Sequence, residues 1–111
     1  MKIKDGAILA GLQLEMRQLL IVADKVYKEF KQELVITCGL DGVHSPGSLH
    51  YYGYALDFRT HYFTPNEKRQ VFDAITDIIA NTSPYYDIII HSTHIHSEYD
   101  IVKYLRAKGR I

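Results

Sequence analysis

Apolar residues recur at three- and four-residue spacing through Leu12, Met16, Leu19, Leu20, Ala23, Val26, Tyr27 and Phe30, with Glu15, Arg17, Asp24, Lys25, Lys28 and Lys31 mainly on the other side. That period predicts an amphipathic helix over 12–30 with one buried stripe. The run Leu-Val-Ile-Thr-Cys at 34–38 is β-branched, too short for a helix and bounded by Gly39, and predicts a central strand ending at Cys38, a small buried hydrophobe. Residues 54–59 alternate, with Tyr54, Leu56 and Phe58 facing one way and Ala55, Asp57 and Arg59 the other, as a strand does. Thr64-Pro65-Asn66-Glu67 carries an N-cap, a proline at the first helical position and the glutamate of a capping box. The helix it starts has a buried stripe of Val71, Phe72, Ile75, Ile78 and Ile79 and ends over 81–84. Residues 86–90 and 94–99 predict a hairpin turning at Ser92-Thr93, and Asp100 caps a short last helix, 101–108, stopped by Gly109.

Two stretches lack a clear period. Residues 1–11 contain the turn signal Asp5-Gly6 and predict a short extended lead-in or a small hairpin. Residues 39–53, with Asp41-Gly42, Ser45-Pro46-Gly47 and Gly53, form a loop long enough to imply function, and His44 and His50 lie in it. The expected fold is therefore α+β in one domain, 1–111: a small antiparallel sheet packed against two main helices.

Composition narrows the function classes. Lys+Arg and Asp+Glu are both 13, so the formal net charge is zero, which argues against a broad footprint for nucleic acid or an anionic membrane. No apolar run approaches the ~20 residues that span a bilayer. The start, Met-Lys-Ile-Lys-Asp-Gly, does not read as a secretory signal, so the chain is expected to be cytoplasmic as synthesised. With one cysteine there is no internal disulfide framework. Nine tyrosines and no tryptophan suit half-buried strands, and also sugar or peptide surfaces. Nothing in the pattern speaks to oligomeric state.

The chemistry concentrates at residues 47–60 and 91–99. On a strand His94, His96 and Glu98 share one face, a costly set for a core unless a cation lies over it. If Gly53 bends the chain back, His50 and Asp57 can approach the same point. His50, Asp57 and His96 then make an open zinc set, two imidazoles and a carboxylate with one position left for water. By spacing alone this competes with an ordinary His-x-His strand without metal.

Ser48-Leu49-His50-Tyr51-Tyr52-Gly53-Tyr54-Ala55-Leu56-Asp57 matches the pattern S-x-H-x-x-G-x-A-x-D, and His94-Ile95-His96 a later H-x-H, with a helix between them. In this the chain resembles the zinc peptidases that cleave D-Ala-D-Ala or L-Ala-D-Glu bonds in peptidoglycan, a group sharing its fold and zinc set with lysostaphin-type peptidases and hedgehog signalling domains. Residues 37–60, with Asp41-Gly42-Val43-His44-Ser45 ahead of the pattern, look most like small phage and prophage members, which implies release to the cell wall at lysis or carriage in a virion. The resemblance covers 34 to the end. It implies zinc held by His50, Asp57 and His96, and His94 as a non-ligand that stabilises charge on the scissile carbonyl oxygen. The family's general base is an acid three residues before the last ligand, and Thr93 stands there. Glu98 and His91 are the nearby groups that could replace it; the alternatives are a carboxylate orienting a ligand histidine and a surface histidine. Arg59 is expected either to bind a substrate carboxylate or to pair with an acid such as Asp57. Ser48, His44 and Asp41 either meet substrate or stabilise the loop, and His61 lies at the surface. The implied activity is peptidoglycan peptide hydrolysis, of D,D-carboxypeptidase or L,D-endopeptidase type. The alternative is a zinc-stabilised binding module on the same fold.

Overall fold

The computed structural model describes residues 1–42, 44 and 48–111. The Ser45-Pro46-Gly47 turn signal, and with it Val43, lies outside the described residues. The elements run β1 (Lys2–Ile3), α1 (Leu14–Glu29), β2 (Val35–Cys38), a 3-10 turn (Leu49–Tyr52), β3 (Ala55–Arg59), α2 (Pro65–Ala80), β4 (Tyr86–Ile90), β5 (His94–Tyr99) and α3 (Ile101–Ala107). The fold is a small α+β one with a five-stranded sheet in the order β1-β2-β3-β5-β4.

The sheet is mixed and not purely antiparallel. β1 pairs parallel to β2, whereas β2–β3, β3–β5 and β4–β5 are antiparallel. The extended lead-in expected over 1–11 is present as β1, but a two-residue strand has no readable period and gives no sign of its parallel partner. Parallel pairing needs a long crossover, and α1 supplies it.

One face of the sheet carries the core. Met16, Leu19, Ala23, Val26 and Tyr27 of α1 and Val71 and Ile75 of α2 are fully buried against Ile36, Leu56, Phe58 and Ile95. The predicted stripes therefore hold, with one exception: Ile78 is 40% exposed and lies off the buried side of α2. The capping box of α2 forms as expected, Glu67 N donating to Thr64 Oγ1 (3.1 Å) and Thr64 N to Glu67 Oε1 (2.9 Å). Asp100 caps α3 by accepting from Lys103 N at 3.0 Å.

The period of two puts the next residues on the other face. With Leu56, Phe58 and Ile95 inward, Asp57, Arg59, His94, His96 and Glu98 point away from the helices. A one-residue slip of β5 would drive three titratable side chains into the core, so burial fixes their side.

The 3-10 turn sits over this second face and is tied to the start of α1. Gln13 N donates to Gly53 O (3.0 Å) and Gln13 Nε2 to Tyr52 O (3.1 Å). Gly53 ends the turn at φ +76°, and a Cβ there would lie 2.3 Å from Gly11 O. Gly53→Ala should therefore destabilise by more than about 2 kcal/mol in denaturant unfolding, through both the left-handed backbone and the clash. Gly109→Ala, at φ +69° with nothing within 4 Å of the new Cβ, should cost only about 1 kcal/mol. Equal effects of the two substitutions would contradict the close approach at Gly53.

Candidate metal centre

Four elements deliver the central side chains. β3 and β5 pair in a register that sets Asp57 opposite His96, Arg59 opposite His94 and Ala55 opposite Glu98. The 3-10 turn brings in His50, whose backbone N–H donates to Ser48 Oγ at 3.3 Å. β2 contributes Cys38: the register shifts between Ile36 and Cys38, so Ile36 pairs with Phe58 and Cys38 with Asp57. That bulge turns the strand end toward the polar face.

His50, Asp57 and His96 converge. Asp57 Oδ1 lies 2.9 Å from His96 Nδ1 and 3.5 Å from His50 Nε2. The three ligand atoms lie within 4.8 Å of one another, so the group is geometrically able to hold a metal ion. Two ligands of a tetrahedral zinc stand roughly 3.4 Å apart, close to what is found here. His50 is 3% exposed, and its Nδ1–H donates to Gly39 O at 2.8 Å. That bond leaves a lone pair on Nε2, aimed at a carboxylate oxygen. Two acceptors facing each other in a buried place need a cation between them, a proton or a metal ion.

The second nitrogen of His96 is also occupied, Nε2 lying 2.8 Å from Glu98 Oε1. Both carboxylates only accept, so without metal this ring is an imidazolium. Burial works against its charge, but the bonds to Asp57 and Glu98 outweigh burial and raise its pKa to about 9. Burial likewise opposes ionisation of Asp57, yet His50 and His96 beside it hold its carboxyl well below the usual range. Glu98 thus sits where a carboxylate orients a ligand histidine.

His94 stands at the edge of the group, Nε2 3.8 Å from Asp57 Oδ1. Burial lowers its pKa against the pull of the Asp57 charge. Its Nδ1 is 2.9 Å from Thr93 Oγ1, so the threonine hydroxyl fixes the ring. His91 is exposed and stacks on His94, with ring centroids 4.7 Å apart. Lys68 of α2 donates to the backbone carbonyls of His91 and Ser92 and so anchors the β4–β5 turn. A lysine on an exposed helix face gave no sign of that role.

The loop residues are tied mostly to the loop. Asp41 Oδ1 accepts from Ile8 N and Gly39 N, both at 2.8 Å. His44 Nε2 donates to Asp41 O at 2.8 Å, and its ring stacks on His50 at 4.2 Å. Tyr51 OH accepts from His44 N and donates to His44 O. Ser48 caps the 3-10 turn. Arg59 shares the face of Asp57 but makes no ion pair with it; it lines a cavity farther along the sheet with Lys2, Lys4, Asp5 and Val35. His61 is exposed.

Cys38 differs from expectation. It is half-buried, and its Sγ lies 3.3 Å from His44 Nε2 and 4.0 Å from His50 Nδ1, making Cys38, His44 and His50 a second group able to hold a metal ion. The nitrogens of that group already donate to Asp41 O and Gly39 O, so it closes as a hydrogen-bonded clip. The bulge that aims Cys38 here has no sequence signature.

A cysteine 3.3 Å from a histidine could also be a thiolate–imidazolium nucleophile. Burial first, and then the charges of Asp41 and Asp57, push the Cys38 thiol up to about 12, which opposes that. Iodoacetamide should accordingly alkylate Cys38 in the folded protein at least about tenfold more slowly than in the unfolded chain at about pH 8. An equal or faster rate would reveal a thiolate pair. No protein-family model matches this chain, and no curated protein matches it significantly.

Proposed function

We propose that this protein is a zinc-dependent peptidase acting on peptidoglycan stem peptides, of the group that includes D-Ala-D-Ala carboxypeptidases and L-alanyl-D-glutamate endopeptidases. The observation that carries the reading is the convergence of His50 Nε2, Asp57 Oδ1 and His96 Nδ1 on one point, with His94 Nε2 beside it. The residues that converge are those of the S-x-H-x-x-G-x-A-x-D and H-x-H patterns.

His50, Asp57 and His96 would hold the ion. Bound there, zinc would polarise a carbonyl and make its water acidic near neutral pH. The chain's own groups do the rest. The Gly39 carbonyl and Glu98 hold the two ligand imidazoles in orientation from behind. Thr93 Oγ1 lies 2.9 Å from His94 Nδ1; with the hydroxyl as donor, the proton of His94 would sit on Nε2, facing the site. From there His94 can donate to the oxygen that gains charge as the carbonyl is attacked. Of the two candidate bases, Glu98 is engaged by His96, which leaves His91, exposed and stacked on His94, as the candidate.

A second reading has its own observation. Thr93 occupies the place of the family's acid, Glu98 is engaged by His96 and Asp41 by two backbone amides. A zinc-held binding module without turnover would need no base, and this arrangement suits it.

Metal content and turnover of stem peptides, measured together, separate these. The peptidase reading expects about one zinc per chain, lost in Asp57→Ala, and hydrolysis that a chelator abolishes and zinc restores. His94→Ala should keep zinc and lower kcat by about 10²-fold or more. Glu98→Gln should weaken zinc binding by about 10- to 100-fold. Bound zinc with no hydrolysis of either bond type would leave the binding module, and absence of zinc would overturn both readings.

A further inference from the structure

We propose that the cavity between Lys2, Lys4 and Arg59 is an anion subsite, which receives a carboxylate of the peptide held at the metal centre. The substrate class named here rests on the peptidase reading; the subsite itself rests on the following geometry.

Lys2 pairs with Val35 across β1–β2, and the β2–β3 register that sets Ile36 against Phe58 places Val35 beside Arg59. Arg59 in turn lies opposite His94. A row Lys2–Val35–Arg59–His94 therefore crosses the sheet face opposite the helices, next to the row Cys38–Asp57–His96. Lys4 follows Lys2 by two and joins it on that face. These side chains, with Asp5, line a cavity of about 360 Å³ floored by Val35, which is 5% exposed yet lies outside the main core.

Three cations face one acid in this cavity. None of Lys2, Lys4 and Arg59 forms an ion pair with a carboxylate among the described residues, Asp5 included. The chain as a whole is neutral, so this excess of two positive charges is local. It is too small for a nucleic-acid track, which engages many phosphates in a line. It suits a carboxylate, with Arg59 as a planar fork and the lysines as mobile point charges. Arg59 follows Asp57 by two on β3, so their Cα atoms stand roughly 7 Å apart. An extended peptide spans that distance in about two residues. The carboxylate received is therefore carried one or two residues from the bond at the metal centre, either as a chain terminus or as an acidic side chain.

Three acetylated dipeptides test this by NMR titration of the full-length protein: Ala-Gln with a free terminus, Ala-Glu amidated at its terminus, and the neutral Ala-Gln amide. One or both acids should shift the amide signals of Lys4, Val35 and Arg59 and bind roughly tenfold more tightly than the neutral peptide. Which acid binds more tightly identifies the source of the carboxylate. The exposed pair Lys2→Gln/Lys4→Gln, with unchanged thermal unfolding, should erase most of the difference. Arg59→Gln should erase it as well. Equal binding of the three peptides, shifts confined to other regions, or an acid preference that survives all three substitutions would overturn the subsite. The titration needs no turnover. A protein that hydrolyses nothing can therefore still show the subsite, and an active peptidase can fail to show it.

Discussion

The burial of Leu56, Phe58 and Ile95 against α1 and α2 is the constraint on which the rest depends. Those three side chains are fully buried, and in antiparallel strands of fixed register their neighbours must face outward. Asp57 and His96 are thereby set opposite each other on the sheet face turned away from α1 and α2. No polar interaction could fix that side so firmly, because an exposed ion pair contributes at most about 1 kcal/mol, whereas burying one large apolar side chain contributes roughly 1.5–3 kcal/mol. Hydrophobic packing behind the sheet thus determines the electrostatics in front of it.

In front, one carboxylate oxygen is approached by nitrogens from three histidines, at 2.9, 3.5 and 3.8 Å. Each ring has its other nitrogen engaged: His50 with the Gly39 carbonyl, His94 with Thr93 and His96 with Glu98. Such outer contacts decide which atom of each ring faces the centre. They also give Thr93 and Glu98 positioning roles. From α2, Lys68 holds the exposed β4–β5 turn, which carries His91, in place.

Much of this architecture is legible in the sequence because it follows short-range rules. The alternation over 54–59, the Thr64/Glu67 capping box and the strands 86–90 and 94–99 are local patterns, and each forms as read. The position of His50, Asp57 and His96 near one another was also legible, from motif spacing. Long-range features were not. The parallel pairing of Lys2–Ile3 joins residues 33 apart through a helix, and two residues carry no period. The bulge that directs Cys38 toward His44 and His50 inserts one residue against a partner strand that is distant in sequence. Ile78 fits the helical stripe by spacing, yet lies at its margin and is exposed. The grouping of Lys2 and Lys4 with Arg59 appears only when β1 is placed at the sheet edge.

Among the described residues two clusters are able to hold a metal ion, and they share His50: one with Asp57 and His96, the other with Cys38 and His44. X-ray absorption at the zinc edge of the zinc-loaded protein distinguishes them directly. A shell of nitrogen and oxygen scatterers at about 2.0–2.1 Å, with the outer-shell pattern of two imidazoles and no sulfur, is the result this account predicts. A sulfur scatterer at about 2.3 Å would place the ion on Cys38 and contradict the assignment of the centre to His50, Asp57 and His96.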